Sequence, residues 1–177
     1  FRDGQNRRVE GAEADPVARM ALEVIRGGGQ MLIFAGSRLS AVSLAKRLEP
    51  AIRGVLKRRE ETKLLELSGQ MLKLGEKTRV SENLSRAVSS GVAFHHAGLT
   101  YLQRKAVEDA FRSFLIKCIC ATPTLASGVN LPARRVLIYD YRRYEAGIGQ
   151  TNIPVLEEKQ MAGRAGRPRL DPYGESV

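Results

Sequence analysis

The stretch "MLIFA", residues 31–35, sets five apolar side chains in a row between "GGGQ" and "GSR". A strand with one wet face alternates polar and apolar positions, whereas a strand covered on both faces is apolar throughout, so the run predicts a buried strand of a parallel sheet. "KCICA" (117–121) and "RRVLIYDY" (134–141) read as further strands, and "GVAFHHAGL" (91–99) reads as strand then turn. Helical patterns lie between them. Asp15 and Pro16 suit an N-cap and a first helical position, followed by an apolar stripe at 17, 20, 21, 24 and 25. Ser37 caps a second helix with the face Leu39, Val42, Leu44, Ala45 and Leu48, up to Pro50. Residues 51–75 are charged and helix-prone, a polar break follows near "GEKTRV", and a short helix is expected after Ser81. Thr100 with Gln103 makes a capping box that opens a helix to about 115.

This alternation predicts an α/β fold, a doubly wound parallel sheet flanked by helices. At 177 residues the chain suffices for one such domain, over 15–177, after a linker arm at 1–14. Ligands of such sheets bind outside the carboxyl ends of the strands, which singles out the loops "GSR", "HHAGL" and "TPTLASGVNLP". The pattern breaks over 139–156, where a Gly-rich turn at 147–149 separates two tyrosine- and β-branched-containing runs, so a projecting β-hairpin is expected there.

Lysine and arginine outnumber acids 29 to 19, for a net charge of +10 that favours a polyanionic partner. "RGVLKRRE", "ARR", "YRRY" and "GRAGRPR" hold much of the excess. No apolar run approaches the 18 or so residues that span a bilayer, and the opening "FRDGQNRRVEG" is not a secretory signal, so no membrane partner is expected and the location is read as cytoplasmic. Cys118 and Cys120 form a C-x-C on a strand, not a paired C-x-x-C zinc spacing, so no metal site is read with His95 and His96, and the cysteines are read as buried strand residues.

"QMAGRAGRPR" (160–169) places Arg164 and Arg167 three residues apart, each after a glycine. On a helix they would share a face, and two guanidinium forks could converge on phosphate. The glycines suggest close approach of something large to the backbone. Yet there is no G-x-x-x-x-G-K-[ST] loop to cradle a nucleotide and no pair of acids ending an apolar strand to hold magnesium. Such arginines make sense as fingers acting on a nucleotide that a neighbouring domain binds.

"IFAGSR" (33–38), "HHAGL" (95–99), "ATPTLASGVNLP" (121–132) and "QMAGRAGRP" (160–168), in that order and spacing, resemble motifs IV, IVa, V and VI of superfamily 2 helicases of the Ski-two-like branch. The resemblance spans about 15–175 and corresponds to the second RecA-like domain. "GRPRLDPYGE" (166–175) further resembles the archaeal Hjm-type (Holliday junction migration) DNA repair helicases.

The resemblance implies that Arg167, and with it Arg164, contacts the γ-phosphate of ATP held with Mg2+ mainly by a first RecA-like domain of the same parent chain. Gln160 would sit at the same cleft, Gly128 would let backbone approach it, and Asn130 would read nucleotide or bridge the domains. Asn130 departs from the Asp of DEAD-box relatives. Ser37 and Arg38, His96 and Gly98, and Thr122 through hydroxyl and backbone N–H would hold phosphates of the translocating strand. Arg142, Arg143 and Tyr144 near the hairpin tip would grip and stack on nucleic acid at the duplex junction, while Tyr139 and Tyr141 divide between that role and core packing. The implied function is an ATP-dependent 3′–5′ DNA helicase acting on single-stranded and forked DNA in repair, nucleoid-associated. The isolated piece is expected to be monomeric and inactive. An RNA helicase of the same branch and a non-catalytic nucleic-acid-binding module are the rival readings.

Overall fold

The computed structural model describes residues 13–140, 142–145, 149–167, 170–171 and 173–177. Residues 1–12, most of the expected arm, lie outside them. In chain order the elements are α1 (Pro16–Arg26), β1 (Met31–Phe34), α2 (Arg38–Arg53), α3 (Arg58–Met71), α4 (Arg79–Ser89), β2 (Val92–His95), α5 (Tyr101–Arg112), β3 (Cys118–Ala121), α6 (Thr124–Gly128), β4 (Arg135–Ile138), β5 (Arg142–Glu145), β6 (Gly149–Asn152), α7 (Val155–Ala162) and β7 (Glu175–Ser176).

Five strands form one parallel sheet in the order β2-β3-β1-β4-β7. All four residues of each of β1 to β4 are buried, which is why their sequences carry no alternation. The connection from β1 to β2 crosses the sheet one way and carries α2 to α4. Those leaving β2, β3 and β4 cross the other way and carry α5, α6 and α7. Right-handed crossovers then place the two sets on opposite faces. The packing agrees, with α2 against α1 and α4, and α6 against α7. β1 and β3 are neighbours whose outgoing chains leave for opposite faces, so a crevice opens between their carboxyl ends.

The helix starts follow the capping chemistry. Asp15 accepts the Val17 N–H at 2.9 Å and Ser37 accepts the Ser40 N–H at 3.0 Å. The Thr100–Gln103 capping box is complete. Three boundaries differ from the sequence reading. α2 runs past Pro50 because Ile52, fully buried, extends its apolar face by another turn, while Leu39 at its start is 84% exposed. α4 begins at Thr78, whose hydroxyl accepts the Ser81 N–H, so Ser81 lies inside the helix. The "TPTLASG" loop contains the short helix α6.

β7, absent from the sequence reading, is two polar residues with no apolar signature. It is held by Arg135, a buried residue of β4 whose Nε donates to Glu175 at 2.6 Å and whose Nη1 donates to Glu23 at 2.8 Å. The hairpin exists as β5 and β6, antiparallel, with Tyr144 opposite Gln150, and is shorter than the expected 139–156.

Candidate nucleic-acid and nucleotide interface

At the carboxyl ends of β1 and β3 lies a cavity of about 290 Å³. Gly36, Ser37 and Arg38 line it from the loop after β1, Ala97 from the loop after β2, and Thr122, Pro123 and Thr124 from the loop after β3. Ile153 and Glu157 close it from the start of α7. The three loops singled out in the sequence therefore meet, in the crevice where the strand connections reverse.

Several donors around the cavity are already engaged within the chain. The Gly36 N–H donates to Asp140 Oδ2 at 2.8 Å, and the Ser40 hydroxyl donates to the same oxygen at 3.0 Å. Asp140 was missed in the sequence because it arrives from beyond β4, about a hundred residues away, with no local signal. The Thr122 N–H, expected at phosphate, donates to the His95 carbonyl at 3.2 Å in the domain by itself, and its hydroxyl lies 3.0 Å from that of Thr124. Arg38 is exposed and, among the described residues, has no ion pair. It is the cationic side chain of the cavity.

His96, expected at a strand phosphate, is engaged within the domain. Its ring is buried, stacks on Phe94 at 5.3 Å and accepts the Gly98 N–H on Nδ1 at 3.0 Å. Burial, with Arg38 nearby, pushes its pKa below the usual value, so it offers no charge to a phosphate. Gly98 spends its N–H on that ring, and a Cβ there would stand 3.0 Å from two ring atoms. Together the two residues shape the turn into α5. His95 is buried against Glu108 at 3.0 Å, and burial outweighs that carboxylate to lower its pKa too.

Arg164 and Arg167 part company. α7 ends at Ala162 with Gly163 as its cap, so neither arginine is on a helix. Arg164, half-buried, reaches back to α6: Nη1 donates to Asn130 Oδ1 at 3.0 Å and Nη2 donates to the Ala126 carbonyl, while Nε is buried without a partner. Its partner Asn130 is exposed, as are Gly128 and Gln160, and a Cβ on Gly128 would meet open space. Motifs V and VI meet through the bonds from Arg164 to Asn130 and Ala126.

Arg167 is at the other end of the sheet. It is 6% exposed, bonds Asp171 through Nε and Nη2, each at 2.6 Å, and donates to Gln30, which precedes β1. In the domain by itself, therefore, the guanidinium expected to lead as a finger is bonded to Asp171 and Gln30. Gly166 is likewise explained within the chain: φ is 92°, and Gly174 crosses it so closely that a Cβ on Gly174 would lie 2.3 Å from its nitrogen. The large object near this glycine is the chain's own backbone.

Of the hairpin candidates, Arg142, Arg143 and Tyr144 lie on β5, and their side chains, like Tyr141, fall outside the described residues. Tyr139 is 40% exposed with the Arg47 guanidinium 5.4 Å from its ring centre. Cys118 and Cys120 are buried strand residues, and among the described residues no cluster of metal-ligating side chains exists. Nor is any described helix long and apolar enough to cross a membrane.

Residues 70–169 match the helicase conserved C-terminal domain family. The chain belongs to that family. This helicase C-terminal domain is 48% identical over 173 residues to the ATP-dependent DNA helicase Hel308 of Methanocella arvoryzae, covering 98% of this chain and 23% of that protein. Its identity to the Hel308 of Pyrobaculum calidifontis is 46% over 179 residues, 100% of this chain and 25% of the relative. For Caldivirga maquilingensis Hel308 the figures are 42% over 182 residues, 99% and 23%. The domain thus spans about a quarter of the length of the curated relatives it matches. The likeness to the second RecA-like domain of Ski-two-like helicases and the α/β sheet fold are both borne out.

Proposed function

We propose that this helicase C-terminal domain is the strand-gripping and nucleotide-sensing half of an ATP-dependent 3′–5′ DNA helicase, working in a parent chain whose first RecA-like domain binds ATP and Mg2+. The cavity carries the reading: three separate loops converge on it, and it holds Arg38 with no carboxylate partner among the described residues beside the hydroxyls of Ser37, Thr122 and Thr124. With Glu157 on the α7 side, the lining holds one cation, one carboxylate and several hydroxyl donors, and a backbone phosphate of single-stranded DNA fits the side formed by Arg38 and the hydroxyls. Nucleic-acid relatives in name, the three Hel308 proteins, support DNA over RNA.

The nucleotide reading rests on the junction of motifs V and VI. Arg164 is half-buried, has an unpartnered Nε, and bonds the exposed Asn130. A cation preorganised in this way suits the charge that develops on a transferring phosphoryl group. The described residues include no phosphate loop and no acidic metal cluster, which fits a nucleotide held chiefly from the facing domain. When bound, ATP–Mg2+ supplies the phosphoryl transfer that drives the cycle. The domain's own residues orient against it, and α6 ties the two sites together. Its first residue, Thr124, lines the cavity, and Ala126 accepts from Arg164, within a helix only about 7.5 Å long at 1.5 Å per residue. Motion of Arg164 is thereby felt at the strand grip. The β5–β6 hairpin would part the duplex ahead of the translocating strand at forks, in repair and replication restart, with the protein nucleoid-associated.

Arg38→Ala in the parent chain tests the grip. Single-stranded DNA should bind more weakly, and the slope of log affinity against log salt should fall by about 1, the loss of one phosphate contact. An unchanged slope would remove Arg38 from the interface.

A further inference from the structure

We propose that Asp140 is a positioning residue, which ties the base of the β5–β6 hairpin to the loop carrying Arg38, so that strand grip and strand separation move as one body. The proposal deepens the reading of the hairpin given above and rests on it.

β5 and β6 pair with each other and form a sheet of their own. A two-stranded hairpin is marginally stable by itself, and among the described residues no ladder bond joins this one to the five-stranded sheet. The direction in which it projects is therefore set where its two legs leave the domain. The outgoing leg starts at Asp140, two residues before β5, and the returning leg ends at Ile153, directly after β6. Ile153 is buried and lines the cavity, an apolar contact that excludes water but has no preferred direction. The directional bonds are at the outgoing leg. Asp140 Oδ2 accepts the Gly36 N–H at 2.8 Å and the Ser40 hydroxyl at 3.0 Å. Bonds to a carboxylate are roughly twice as strong as those between neutral groups. The carboxylate also stands at the start of α2, where the helix dipole favours negative charge.

Gly36 and Ser40 bracket Ser37 and Arg38, so Asp140 holds the loop on both sides of the cation that lines the cavity. The residue before it is fixed as well. The Tyr139 N–H donates to the Phe34 carbonyl at 2.9 Å, at the end of β1, and the Arg47 guanidinium of α2 lies 5.4 Å from the Tyr139 ring centre. Two successive residues thus tie the outgoing leg to β1 and α2. A strand phosphate held by Arg38 then keeps a set distance from the hairpin, and drawing the strand through the grip presses the duplex onto it. Without the Asp140 bonds the hairpin would swing about Ile153, and ATP would be hydrolysed on steps that open no base pair.

The test is the number of base pairs opened per ATP hydrolysed by the parent chain on a forked duplex at saturating DNA. Turnover on single-stranded DNA and melting temperature are measured beside it. A merely structural residue would lower the melting temperature and leave that ratio alone. Asp140→Ala should lower the ratio by about tenfold, with turnover on single-stranded DNA within about twofold of wild type, because the hairpin's seat is lost and the nucleotide contacts are elsewhere. Asp140→Asn keeps an oxygen acceptor in the same shape and should bring the ratio back to within about threefold of wild type. Ser40→Ala removes one of the two bonds and should lower it by about threefold. Deleting residues 144–150 should itself lower the ratio by about tenfold or more, and Asp140→Ala should add nothing to that loss, as residues acting through one element are not additive.

A folded Asp140→Ala protein with the wild-type ratio would overturn the proposal. So would an equal fall in unwinding and in single-stranded turnover, which would place Asp140 in the grip or the nucleotide cycle. If Asp140→Ala does not fold, an unchanged ratio in Ser40→Ala decides against it. An unchanged ratio in the deletion variant is a different failure, that of the hairpin reading, and is read on that variant alone.

Discussion

The two ends of the sheet use the same residue types for opposite ends. From Gln30 to Ala35 the β1 segment advances roughly 16 Å, at about 3.3 Å per residue. At its amino end the arginines are closed into the fold: Arg167 by Asp171 and Gln30, Arg135 by Glu23 and Glu175. At its carboxyl end Arg38 stands exposed beside a cavity with no ion pair among the described residues. A net charge of +10 therefore says little by itself about binding. What distinguishes the two ends is whether the chain itself has supplied a carboxylate to the arginine.

The sharpest way to break this contrast is to unbalance each end in turn. Asp171→Ala leaves a buried guanidinium unpaired and should destabilise the domain by about 3 kcal/mol, measured by chemical denaturation. Arg38→Ala should change stability by less than about 0.5 kcal/mol, the usual range for an exposed side chain. If the two variants unfolded alike, the contrast would be lost.

Glycines sharpen it further. Gly174→Ala forces a Cβ to within 2.3 Å of the Gly166 nitrogen and should cost about 1–3 kcal/mol or more as backbone gives way. Gly128→Ala meets open space in α6 and should be neutral or stabilise by up to about 1 kcal/mol. Equal losses at the two positions would mean that the patch around Gly128 is packed from within the domain.

The smallest effect expected is on acidity, and it too should separate the ends. His95 and His96 have folded-state pKa values pushed below the usual 6.5 or so, so the unfolded chain takes up protons before the folded one does. Their contribution is complete above about pH 6.5 and is lost as pH falls through the folded values. Asp171 has its pKa depressed, so its contribution persists well into acid and fades only below the ordinary carboxylate range near 3.8. Denaturation midpoints followed from pH 7 to pH 3 should fall first through the histidines, and a His95→Gln/His96→Gln variant should flatten only that upper limb.

Much of this architecture was legible before any coordinates. Unbroken apolar runs gave four strands, and Asp15, Ser37 and the Thr100–Gln103 pair marked helix starts, because burial on both faces and capping leave local signatures. The meeting of the three loops followed from the parallel topology. What the sequence concealed was non-local. The partner of Gly36 is Asp140, the partner of Arg167 includes Gln30, and β7 is fixed by Arg135, each contact spanning some 40 to 140 residues. The spacing of Arg164 and Arg167 suggested a shared face only on the assumption that the helix continues. Gly163 ends it, and Asp171, four residues beyond Arg167, claims the second arginine.

Backbone amide NMR of the domain titrated with a single-stranded oligonucleotide measures the difference between the two ends most directly. The account predicts shifts at Ser37, Arg38, Ala97, Thr122 and Thr124, with Gln30, Arg167 and Asp171 unmoved. Shifts concentrated at the amino-end residues, with the cavity silent, would contradict it.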